Sequence, residues 1–115
     1  EAEAGSLAEA TRVVRRLLSL FGTWIKERKQ EQLFSFATRF LEIMAEVTIG
    51  WLLLEAAVIA DSELESKDED SDRAVFLKGK IASARYFYGN IIPLLDAKAK
   101  VIELGNNEAV KADFW

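Results

Sequence analysis

The side chains best equipped for chemistry in this chain are carboxylates and guanidiniums. Its 115 residues include 19 Asp and Glu and 15 Lys and Arg, with no histidine and no cysteine. Three glutamates, Glu42, Glu46 and Glu55, lie in one long apolar segment. Two carboxylates facing one site can run acid–base chemistry. Glu46 and Glu55, however, are nine residues apart, which puts them about 180° apart round a helix. Each reads better as a solvated or ion-paired group, because burying a lone charge is costly. Asp68-x-Asp70-x-Asp72 has the spacing that opens a calcium-binding loop. Its sixth position is Arg73 where glycine is required, and its twelfth is Gly79 where a bidentate glutamate belongs. A solvated connection is the expectation there. Arg85, between Ala84 and Tyr86 in an apolar helix, is expected to ion-pair or cap carbonyls between helices, since a phosphate site needs converging donors. Arg12, Arg15 and Arg16 read as a solvated helix face.

The missing residue types exclude more than the present ones assign. Without histidine or cysteine there is no Ser-His-Asp or Cys-His arrangement, no Glu-x-x-His di-iron motif and no thiolate zinc site. No catalytic, cofactor-binding or metal-binding residue is assigned, and a self-contained enzyme is not expected. Half the residues are hydrophobic and 30% are charged, the balance of one folded domain over residues 1–115. A net charge of −4 argues against nucleic acid, which needs concentrated positive charge. Glu1-Ala2-Glu3-Ala4 carries neither the basic nor the apolar region of a secretory signal. The only methionine is Met44, and the chain is expected to be a C-terminal fragment of a longer polypeptide. Glu46 and Glu55 interrupt the apolar run, leaving Val47–Leu54 far short of the roughly 20 residues of a membrane span; no stable membrane insertion is expected.

Few prolines and glycines favour few, long elements. Ser6-Leu7-Ala8-Glu9 reads as a capping box opening a helix from about Leu7 to Glu27. Its stripe is Leu7, Ala10, Val14, Leu17, Leu18, Phe21 and Ile25. Residues 26–30 are a charged junction. A second helix, about Glu31 to Asp61, is on the order of 45 Å long. It is apolar nearly all round, so it must be covered on several sides. Gly50 in its middle is either a tolerated defect or, as the large neighbours Ile49 and Trp51 favour, a point of close approach by another helix, because glycine has no Cβ to hold a neighbour off. Gly50→Leu is therefore expected to disrupt packing, and Asp70→Asn in the acidic 61–72 loop is not. Ser71 or Asp72 caps a third helix starting near Arg73, with Ala74, Leu77, Ile81, Ala84, Tyr88, Ile91 and Leu95 as its stripe, widened by Phe76 and Phe87. Pro93 either kinks this helix or forces a break near Gly89-Asn90. Gly105-Asn106-Asn107 ends it, and Phe114 and Trp115 close the chain. The expected fold is all-α, an up-down antiparallel bundle of three long helices with the third kinked or broken near Pro93.

Lys80-Ile81-Ala82-Ser83-Ala84-Arg85-Tyr86-Phe87-Tyr88, followed by Ile91-Ile92-Pro93, resembles the helical C-terminal extension of a group of bacterial acyl-CoA dehydrogenases. Phe40-Leu41 and Gly50-Trp51 on the second helix are similar to the same domain. The resemblance covers about Leu7 to Leu104 and departs after Pro93, where Leu94-Leu95 replaces an expected Gln-Ala. It implies an accessory helical domain of an oxidoreductase of fatty acid metabolism. The resemblance further implies a parent flavoprotein whose upstream domains bind FAD and acyl-CoA and supply the carboxylate base; no cofactor is assigned to this chain. It also implies contacts with those domains or a second subunit, a homo-oligomer, and a cytoplasmic location. The candidate packing or interface residues are Gly50, Trp51, Arg85, Tyr86, Phe87, Tyr88, Pro93, Phe114 and Trp115. A free-standing helical dimerisation module is the alternative, and a peripheral membrane element a third reading.

Overall fold

The computed structural model describes residues 2–68 and 71–108. Among them are four α-helices, α1 (Ala2–Lys26), α2 (Gln30–Leu64), α3 (Asp72–Asn90) and α4 (Leu95–Leu104), with a short 3-10 turn at Ile92–Leu94 before α4. The fold is all-α. Helix α1 runs antiparallel to α2, and α3 with α4 forms one bent third rod, antiparallel to α2 in its turn.

Helix α1 begins earlier than the capping box suggests. Ser6 lies inside it, because Ala2, Glu3, Ala4 and Ala8 are strong helix formers and a first-turn glutamate suits the helix dipole. Its buried stripe is also rotated from the expected one. Ala10, Val13, Leu17, Phe21 and Trp24 are buried, while Leu18 and Ile25 are exposed. The indole of Trp24 decides the rotation: its ring centroid lies 5.2 Å from Phe21 and 6.1 Å from Phe36, and Phe21 lies 4.8 Å from Phe40. This aromatic cluster fixes the α1–α2 turn. The turn itself closes with Arg28 in the left-handed region at φ 58°. Arg28 N–H donates to the Ile25 carbonyl (3.1 Å) and Lys29 N–H to the Trp24 carbonyl (2.8 Å), so two orphan carbonyls are satisfied as in a glycine-terminated helix.

Helix α2 is longer than the sequence suggests, reaching Leu64 and so taking up the start of the acidic loop. Ser71 caps α3, its Oγ accepting from Ala74 N–H at 3.1 Å; Asp72 sits in the first turn. Glu69 and Asp70 lie outside the described residues. The third rod breaks. Helix α3 ends at Asn90, whose Nδ2 donates to the Tyr86 carbonyl at 2.9 Å, and Pro93 falls in the 3-10 turn. Restarting there places the proline where its missing N–H has no helical partner to lose. Gly105, at φ 61°, ends α4.

The buried core gathers Leu17, Ile43, Leu95, Ala99 and Ile102 between α1, the first half of α2 and α4. Beyond Gly50 the second half of α2 has α3 as its main neighbour, along a thin seam of Ala57, Ala60, Ala74, Leu77 and Ala84. The result is long and thin, 65 × 27 × 15 Å. Its radius of gyration of 19.0 Å well exceeds the roughly 13 Å of a compact domain of this size.

Candidate interaction surface

The polar groups that sequence reading could mistake for chemistry are structural clamps. Lys98 on α4 reaches α2, its Nζ donating to Glu42 Oε1 at 2.9 Å and to Glu46 at 2.8 Å. The hydrogen bond and charge of Lys98 hold the Glu42 carboxyl below its ordinary value, and Glu42 with Glu46 raises Lys98. Arg16 joins α1 to α4 through Glu103 at 2.6 Å, so it is not a purely solvated cation. Arg73 pairs with Glu63 at 2.6 Å across the far end of the α2–α3 hairpin, lowering the Glu63 pKa and raising its own. The Arg73 and Lys80 cations flank the exposed ring of Phe76 at 5.2 and 5.3 Å; the expectation that Phe76 widens the buried stripe therefore fails. Among the described residues no group of three acidic side chains could hold a metal ion.

Gly50 faces inward. It is buried against the junction of α3 and the 3-10 turn, and a Cβ built there would lie 3.2 Å from Ile92 Cδ1, 3.3 Å from Tyr88 Oη and 3.4 Å from Phe87 Cε2. The Tyr88 hydroxyl donates to the Gly50 carbonyl at 2.7 Å. Burial is the main cause raising the Tyr88 pKa, with Glu3 adding to it. Tyr88 is thus buried, Phe87 half-buried and Tyr86 exposed, the order a helix imposes on three consecutive aromatics. Arg85 is exposed and, among the described residues, makes no ion pair or hydrogen bond. It borders an open groove with Glu3, Ala57, Val58, Asp61 and Ile81. The ion pair or carbonyl capping expected of Arg85 is not seen among the described residues. Pro93 is exposed at a shallow groove between α1 and α4. Phe114 and Trp115 lie outside the described residues.

The feature that remains is the outer side of α2. Phe34, Leu41, Leu52 and Ile59 are 72%, 66%, 53% and 60% exposed. With Thr38, Ala45, Thr48 and Glu55 they follow alternating steps of four and three residues, a straight seam along one helix face. Met44, Trp51 and Val58 flank it, also exposed. Opposite lies the buried face of Phe36, Phe40, Ile43 and Gly50. Exposed apolar residues scattered singly are ordinary, but a contiguous stripe marks a contact surface. Helix α2 is also long and apolar enough to cross a membrane, with 22% of its apolar window buried inside the chain. The sequence expectation measured only the charge-free run Val47–Leu54, whereas α2 continues through Glu46 and Glu55, glutamate being a good helix former. What sequence reading missed was the division of α2 into an inner and an outer apolar face. Its four-three spacing was the available signal.

Residues 1–113 match the family described as acetyl-CoA dehydrogenase C-terminal like. A butyryl-CoA dehydrogenase of Syntrophomonas wolfei is 35% identical over 75 residues, 65% of this chain and 12% of that protein. The broad-specificity linear acyl-CoA dehydrogenase FadE5 of Mycobacterium tuberculosis is 35% identical over 77 residues, 67% of this chain and 12% of the relative. A further S. wolfei butyryl-CoA dehydrogenase match is 30% identical over 112 residues, 96% of this chain and 17% of the relative. The chain thus spans less than a fifth of the length of the curated relatives it matches. No solved structure matches it.

Proposed function

Because the chain belongs to the acetyl-CoA dehydrogenase C-terminal-like family, we propose that it is the accessory, non-catalytic helical domain of an FAD-dependent acyl-CoA dehydrogenase. Its role is packing: it supports the upstream domains, subunit contacts or the acyl-chain end of the cleft. The observation that carries this reading is the apolar outer face of α2, which the other described residues leave uncovered. The described residues do not fit a flavin. Such a ligand needs a deep cleft with a few convergent polar groups, whereas the grooves here are open and the one at Arg85 sets that cation near Asp61 and Glu3. FAD binding and α-proton abstraction therefore fall to upstream sequence, and none of the glutamates in this chain inherits the base.

The test is made on the native source. Peptides of this chain are located by mass spectrometry, and the size and flavin absorbance of the polypeptide carrying them are measured. A yellow protein several times longer is the expected result. A colourless protein of this length would overturn the reading and favour a free-standing dimerisation module, which the same outer face would serve. A peripheral membrane role is disfavoured by the net charge of −4, which repels anionic lipid.

A further inference from the structure

We propose that the outer face of α2 pairs with the same face of a second copy of this chain, antiparallel, about a twofold axis passing between Ala45 and Thr48. This rests on reading that face as a contact surface, and it names the partner. The first observation is spacing. Positions 34, 38, 41, 45, 48, 52, 55 and 59 alternate four- and three-residue steps, the repeat of two helices lying side by side at a shallow angle.

The second observation is symmetry of size. Read from both ends, the seam places Phe34 with Ile59, Thr38 with Glu55, Leu41 with Leu52 and Ala45 with Thr48. Each pair sums to the same register, so an antiparallel partner brings all four together twice over. Large residues meet large ones toward the ends. The small Ala45 and Thr48 stand at the centre, where the two axes must come closest. A parallel pair would instead stack Glu55 on Glu55, and like charges in contact are destabilising. The antiparallel pair separates the two Glu55 carboxylates by about 25 Å along the axis. It also opposes the two helix dipoles.

Length is sufficient. The seam runs about 38 Å along the helix, and Met44, Trp51 and Val58 on its flank are also exposed. No ion pair needs breaking, since the Lys98 clamp on Glu42 and Glu46 lies to the side.

The chain has no cysteine, so introduced ones report geometry without background. Ala45→Cys, beside the axis, is expected to give covalent dimers with a short bis-maleimide. Phe34→Cys alone is expected to stay monomeric on denaturing gels, because its mate is about 37 Å away. Phe34→Cys combined with Ile59→Cys is expected to cross-link. Light scattering should show twice the chain mass for the unmodified protein and a single mass for Leu41→Glu/Leu52→Glu at unchanged helical circular dichroism. Cross-linking of Phe34→Cys alone, or a helical monomer that leaves Ala45→Cys unlinked, would overturn the proposal. If that monomer instead bound the upstream domains through the same face, self-pairing would fail while the accessory-domain reading stood.

Discussion

At Gly50 a single missing Cβ lets two helices meet. With Ile92, Tyr88 and Phe87 all 3.2 to 3.4 Å from where that atom would sit, Gly50→Leu should destabilise the chain by about 2–3 kcal/mol through overpacking. Thermal or urea unfolding measures it. Tyr88→Phe keeps the ring and removes the hydrogen bond to the Gly50 carbonyl, and should cost about 1 kcal/mol. Arg28 is the opposite case. It occupies a left-handed position that disfavours side chains by about 1–2 kcal/mol, against a smaller entropic cost for glycine. Arg28→Gly should therefore stabilise by about 0.5–1 kcal/mol; a lower melting temperature would contradict this account of the turn.

Between elements, charge pairs act as clips. Glu42 and Glu63 have folded pKa values below the ordinary 4.5. Their contribution is complete above that value and is lost as pH falls through the lowered folded values. Lys98 is raised above 10.5, so its contribution is complete below that value and disappears as pH climbs through the raised one. Unfolding measured from neutral to acid pH should show stability falling on the acid side. Glu42→Gln with Glu63→Gln should flatten that fall. The break at Pro93 belongs to this scale too. It redirects α4 onto α1 and α2, placing Lys98 over the glutamates and Gly105 beside Gln32, whose Nε2 donates to the Gly105 carbonyl at 3.0 Å.

Across the whole molecule, one half is a three-helix core and the other mainly a two-helix arm. The arm holds α2 beyond about Ala57 and the first part of α3 along an alanine seam, with little apolar area to bury. Amide hydrogen exchange should release 57–84 before the amides around Leu17, Ile43 and Ile102. If the arm exchanged last, this division would be wrong. Pairing through α2 would run along both halves, and the arm should gain protection with rising protein concentration.

Much of this was legible in the residues. Apolar periodicity gave three rods, Gly105 gave a helix end, Pro93 gave a break, and the third-helix motif gave the family, because each depends on neighbours within a few turns of chain. The rotation of α1 was not legible, since Trp24 is drawn inward by Phe36 on another helix. Nor was the Lys98 clamp, whose partners lie 52 and 56 residues away. Nothing local foretold that Arg85 would face solvent. Sequence by itself determined the helices and their apolar content, because helix formation is local. Tertiary structure alone decided which apolar face is buried, because only the packed neighbours show that α2 has more apolar sides than the other described residues cover.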